Sequence, residues 1–247
     1  MIPQLRGWTS VQRTAQNNIR LGATLCFVAG AINAGGFLAV GQYTSHMTGV
    51  LSSVADNLVL GQITLALGGL AALVAFLLGA MTTAWMVNWA LRRNLQSAYG
   101  RPLLLEAALL LVFGLFGSGM NVLASLFAPL TVLLLCFIMG LQNAVITKIS
   151  HAEIRTTHVT GLMTDLGIEL GKLFYINRLT RESSVIANRT RLALHAKLIG
   201  SFFLGGLVGA IGFKAVGFYA TLPLAALLVL LVARPVLSDV KNWIDAH

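Results

Sequence analysis

The chain has 247 residues, 57% of them hydrophobic and only 10% charged, with a formal net charge of +9 and a mean hydropathy of +0.81. Soluble domains usually carry about 25% charged residues, so this composition excludes an ordinary water-soluble enzyme and points to an integral membrane protein. The positive charge comes without a zinc spacing, an RNA-binding aromatic motif or a basic helix, so nucleic acid is not an expected partner.

Residues 1–20 form a basic segment with Arg6, Arg13 and Arg20, and an apolar span is predicted over 21–41. This run exceeds the roughly 7–15 apolar residues of a cleaved signal, so it is read as a retained helix. It contains Cys26-Phe27-Val28-Ala29-Gly30-Ala31-Ile32-Asn33-Ala34. Ser45-His46-Met47-Thr48-Gly49 follows and opens a short helix over about 47–60, which holds Asp56. Fourteen residues reach only about 21 Å at 1.5 Å each, too little to cross roughly 30 Å of hydrocarbon. Further spans are predicted over 63–90, with Trp85 and Trp89 near its end as an aromatic belt, and over 103–125. Glu106, near the start of the latter, reads as an interfacial anchor.

The second half repeats this order. A span over 130–148 carries Cys136-Phe137-Ile138-Met139-Gly140-Leu141-Gln142-Asn143-Ala144, identical to the first segment at five of nine positions. Thr157-His158-Val159-Thr160-Gly161 then opens a short helix over about 159–175, which holds Asp165, Glu169 and Lys172. Both pentads fit hydroxyl-His-apolar-Thr-Gly in a chain with only five histidines, so the match reads as an internal duplication. Spans over 195–214 and 216–234 complete the pattern. Gly205 and Gly209 suit close packing inside the chain or in a homo-oligomer.

The fold expected is therefore an all-α membrane domain over 1–247. It comprises an N-terminal segment (1–20), two three-span repeats (21–125 and 130–234), each with a short broken or re-entrant helix, and a C-terminal segment (235–247). With both termini inside a bacterial inner membrane, sixteen Lys and Arg residues fall on the cytoplasmic side and only Lys214 outside. An odd number of spans per repeat inverts the second half relative to the first. Such repeats place solute sites near the midplane, at discontinuous helices.

These motifs resemble the YoaK-like family (domain of unknown function 1275), bacterial inner-membrane proteins with six predicted spans. The resemblance covers roughly 20–235 and implies the architecture more than a substrate. Its members often carry Asp where Asn33 stands and Asn where Val50 stands, so this chain lacks a carboxylate at the first position and an amide at the second.

The function expected is secondary transport of a small solute, with an anionic solute and proton coupling as finer expectations. A channel is the alternative, and an intramembrane enzyme or membrane scaffold the further ones. The substrate-binding candidates are Asn33, Ser45, His46, Thr48, Gly49, Asn143, Thr157, His158, Thr160 and Gly161. Polar amides in hydrocarbon need partners, hydroxyls such as those of Ser45 and Thr157 suit helix N-caps, and the positive end of a helix attracts anions. Asp56, Asp165 and Glu169 are the proton or ion-coupling candidates, although Glu169 and Lys172 also suit a plain ion pair. No catalytic residue, metal site or cofactor is expected, because no hydrolase triad, His-Glu-x-x-His or Walker pattern occurs and two buried thiols make no metal knuckle. The expected partners are the lipid bilayer and the solute, with self-association of the chain left open.

Overall fold

The computed structural model describes residues 8–11, 13–117, 124–177 and 184–245. Among them the chain is helical throughout, without strands: α1 (Ala15–Val40), α2 (Met47–Val59), α3 (Ile63–Arg92), α4 (Gly100–Phe116), α5 (Ala124–Ile149), α6 (Val159–Leu173), α7 (Arg189–Val216), a 3-10 turn (Gly217–Ala220) and α8 (Thr221–Asp245). The boundaries follow local chemistry. The Thr14 hydroxyl accepts from the Asn17 N–H at the start of α1, and Gly41 closes it with φ 71°, a conformation cheap only for glycine. The Asn188 side chain accepts from Thr190 and Arg191 N–H at the start of α7.

Four segments of the described residues are long and apolar enough to cross a membrane: Ala15–Val40, Ile63–Arg92, Ala128–Ile149 and Arg189–Asp245. The last has 57 residues and contains both α7 and α8, the chain turning at Gly217 (φ 59°). The described part of α4 has 17 residues; the rest of the span expected over 103–125 lies partly outside the described residues. On α3, Leu65, Leu67, Leu77, Leu78 and Trp85 all face outward. An apolar face of that length would aggregate in water and is what a helix presents to lipid.

Contacts fix the direction of each helix. Gly30 lies against Phe202 and Gly206, Gly209 against Ala31, and Gly35 against Phe213, so α1 and α7 run parallel. Gly140 lies against Phe76, Gly79 against Phe137 and Leu141, and Lys148 Nζ donates to Asn88 Oδ1 at 3.3 Å, so α3 and α5 are parallel too. By contrast, Gln142 Nε2 donates to the Leu25 carbonyl at 2.7 Å while Gly36 packs on Leu135, which makes α1 and α5 antiparallel. Gly100 on Val232 and Gly114 on Thr221 make α4 and α8 antiparallel as well. It follows that α1 and α3 point in opposite directions, so α2 joins their ends on one face of the bundle. The same holds for α6 between α5 and α7.

The two parallel crossings share one device. Each helix carries Phe-x-x-Gly: Phe27 and Gly30, Phe76 and Gly79, Phe137 and Gly140, Phe202 and Gly205. At each crossing the glycine of one helix sits on the phenylalanine carbonyl oxygen of the other, reciprocally, where a Cβ could not fit. Gly205 and Gly209 are thus consumed against Phe27 and Ala31, the packing inside the chain that was one of their two expected roles.

Polar side chains in the interior donate to carbonyls across the packing seams. Thr83 reaches the Leu141 carbonyl at 3.0 Å, and Thr221 the Leu110 carbonyl at 3.0 Å. Pro235 cannot donate to the Leu231 carbonyl one turn earlier in α8, and the buried Thr9 hydroxyl does so instead at 3.2 Å. Cys26 and Cys136 are free and buried, as small packing residues.

Candidate functional site

The site is built on the two shortest α-helices, α2 and α6. In α6, Asp165 lies beside His195 and the Glu169 carboxylate meets the Asn188 N–H, so α6 runs antiparallel to α7. Its first residue, Val159, shares a cavity with Ile199, Phe202 and Phe203. Phe202 belongs to the crossing with α1, so α6 begins midway along α7. In α2, Val50 and Val54 face Gly69 of α3, while Ser45, just before the helix, bonds to Asn33, one turn beyond Gly30. Both short helices therefore start at the depth of the glycine crossings and end toward opposite faces of the bundle.

Matched amides hold both starts. Asn33 Oδ1 accepts from the Ser45 N–H at 3.2 Å and from its hydroxyl at 2.9 Å. Asn143 Oδ1 accepts from the Thr156 and Thr157 hydroxyls at 3.1 Å each, and its Nδ2 donates to the Met139 carbonyl at 2.9 Å. Ser45 and Thr157 consequently do not cap the helices, contrary to expectation. The cap positions fall one residue later, on His46 and His158, and neither makes a side-chain capping bond.

The imidazoles lie over the first turn instead. A Cβ at Gly49 would meet the His46 ring, and one at Gly161 the His158 ring, which is why glycine stands at both positions. Each first turn is left with backbone N–H groups that no side chain caps, and so with partial positive charge. Thr48 and Thr160 are exposed beside them. Thr44 and Thr156, both buried, extend the pentads to matched hexads; the sequence reading missed them.

The halves meet in a cavity of about 330 Å³, lined by Gly30, Asn33, Ala34 and Tyr43 on one side and by Val159, Phe202 and Gly206 on the other. Two further clefts, of about 350 and 360 Å³, flank α2 and α6. Aligning His46 with His158 and Phe76 with Phe202 matches part of their linings. Ser53 corresponds to Asp165, Asn57 to Glu169, Leu65 to Arg191 and Gly69 to His195. One cleft is neutral and the other charged.

The acidic candidates lie in different surroundings. Asp56 corresponds to Ile168, is exposed, and is not among the cleft-lining residues. Asp165 lies 4.0 Å from Nε2 of His195, whose imidazole is buried and whose Nδ1 has no partner among the described residues. His195 had no assigned role in the sequence, because only the fold brings it to Asp165. Glu106 is also not an interfacial anchor: it is fully buried in α4, and neither oxygen has a partner among the described residues.

Glu169 is largely shielded from solvent and bonds to Lys172 Nζ at 2.8 Å and to the Asn188 N–H at 2.6 Å. These two bonds, that from Lys172 first, hold its carboxyl below the ordinary value of 4.5. A lowered folded-state pKa contributes stability that is complete above the ordinary value and lost as pH falls through the lowered one. Glu169→Gln should therefore lower the melting temperature at pH 7, and the gap from the parent should close as pH falls below about 4.5. Thermal scans from pH 3 to 7 check this; a gap independent of pH would mean that the carboxylate is not responsible.

Among the described residues, no group of three or more His, Cys, Asp and Glu side chains is arranged to hold a metal ion. A family model described as "Protein of unknown function (DUF1275)" matches residues 21–234. The UPF0700 transmembrane protein YoaK of Bacillus subtilis (strain 168) is 32% identical over 158 residues, covering 61% of this chain and 67% of that protein. No solved structure matches the chain.

Proposed function

We propose that this chain, which belongs to the DUF1275 family and is a multi-pass membrane protein, is a secondary transporter of a small solute. The observation that carries the reading is the pair of short helices that begin at one depth, each held by an asparagine on a long helix. The antiparallel relation of α1 to α5 and of α4 to α8 supports six crossings arranged as two inverted repeats. With the termini inside a bacterial inner membrane, the Lys and Arg distribution obeys the positive-inside rule.

In this account the solute binds between Asn33, Asn143 and the two hexads. The uncapped first turns favour an anionic or carbonyl-bearing group. His46 and His158 stand over those turns, and Asp165 with His195, 4.0 Å apart, forms the pair assigned to proton exchange. The neutral cleft beside α2 has no such pair, so coupling belongs to the α6 half. Nothing in this scheme requires bond chemistry, and the chain is read as a carrier and not an enzyme.

The test is a thermal-stability screen of purified protein against small carboxylates and phosphates at about pH 5.5 and 7.5. A solute at about a hundredfold its Kd should raise the melting temperature by roughly 5–10 °C. A flat screen across both pH values would remove the defined solute site. A channel is the alternative, because opposed half-helices also build pores. Flux that neither saturates nor responds to an imposed pH gradient would favour it.

A further inference from the structure

A cleft of about 650 Å³ lies away from the half-helices, where α3 ends, α4 begins and α8 ends. Its wall is mostly apolar, with Met86, Leu104, Leu105, Val236 and Val240. At its rim two guanidinium groups gather on one indole: the Arg93 Cζ lies 4.3 Å from the Trp89 ring centroid and that of Arg101 lies 5.0 Å away. The nearby carboxylate is engaged elsewhere. Asp239 spends one oxygen on the Gln96 N–H and the other on the Ser97 N–H, each at 2.9 Å, pinning the turn between α3 and α4. Among the described residues neither arginine has a carboxylate partner in an ion pair.

Two like charges held together, unpaired by acid, call for an anion. Guanidinium forks match a phosphodiester in charge and bidentate geometry. The apolar wall below them calls for hydrocarbon. Arg93 directly follows the membrane-length helix that ends at Arg92, so the rim sits at the level of lipid headgroups, where Trp89 and Trp243 suit the interface. We propose that this cleft is a binding site for an anionic phospholipid, its phosphate on Arg93 and Arg101 and an acyl chain along the apolar wall. Basic pockets between membrane helices are built for such headgroups. The site is independent of the transport reading.

The experiment is a thermal titration of detergent-purified protein with phosphatidylglycerol, phosphatidylcholine and inorganic phosphate in turn. Phosphatidylglycerol should raise the melting temperature at concentrations where the other two leave it unchanged. Arg93→Gln with Arg101→Gln should weaken its apparent affinity by roughly tenfold or more. Arg92→Gln, outside the cleft, should not. Equal stabilisation by phosphatidylcholine, or selectivity that survives the double variant, would overturn the site. A full shift with inorganic phosphate alone would assign the rim to a free anion and overturn the lipid. Should the double variant fail to fold, the unaltered protein still decides. Brominated phosphatidylglycerol should quench its tryptophan fluorescence more than brominated phosphatidylcholine, and equal quenching would count against the proposal.

Discussion

Gly140→Ala is expected to lower the melting temperature by roughly 6–12 °C, the equivalent of about 3 kcal/mol in a chain of this size. Its Cβ would be driven into the Phe76 carbonyl, and backbone cannot swing aside as a flexible side chain does. Because the crossing is reciprocal, separating the helices for that methyl also lifts Gly79 off Phe137. The comparison that isolates the cause is Gly200→Ala. Gly200 lies within α7, and a Cβ there would meet nothing within 4 Å. Alanine should be tolerated at that position and could stabilise by up to about 1 kcal/mol through helix propensity. Thermal scans of the two variants side by side separate the crossing from any general cost of replacing helical glycine. Equal losses would mean that the Phe-x-x-Gly contacts do not hold the bundle.

The other large effect falls on the site. Asn33→Ala combined with Asn143→Ala removes the acceptor for Ser45 at one half-helix and for Thr156 and Thr157 at the other. Each lost network should cost about 1–2 kcal/mol, because part-buried hydroxyls lose their acceptor. The functional loss should be larger: both helix starts are released, so the thermal shift produced by a bound solute should vanish. Asn33→Asp provides the control. A carboxylate at position 33 still accepts from the Ser45 N–H and hydroxyl, so it should keep the loop in place where alanine does not. The same exchange at Asn143 is not equivalent, since its Nδ2 also donates to the Met139 carbonyl. An unchanged solute response in the double alanine variant would separate the asparagines from the site.

The membrane class, the helix order and the two short helices were legible in composition and motif, because apolar runs and a repeated His-x-Thr-Gly survive without knowledge of contacts. The predicted start of the second short helix at 159 coincides with α6, and the first at 47 with α2. What could not be read was whatever depends on register between helices. Phe76 and Gly79 look ordinary in an apolar run until Gly140 is seen resting on Phe76. Nothing local marks His195 as the neighbour of Asp165, thirty positions away, and the divergence of the two clefts appears only once α3 and α7 are superposed. Asp56 looked like the counterpart of Asp165 because acids are scarce, but the helix phase assigns that place to Ser53. The capping hydroxyls failed for a related reason: Ser45 and Thr157 have the chemistry of caps, yet Asn33 and Asn143 claim them from another helix.

In a transporter of this design the start of α6 lines a passage at mid-depth and is not sealed in packing. The most direct measurement is thiol labelling of Val159→Cys in sealed vesicles, in a background with Cys26→Ala and Cys136→Ala, using a membrane-impermeant reagent applied to one side at a time. A transporter that alternates its access should be labelled at position 159 from either side, and a solute found in the thermal screen should slow both reactions. Labelling from neither side, in protein that reacts fully once denatured, would contradict the account and leave the half-helices as structural supports.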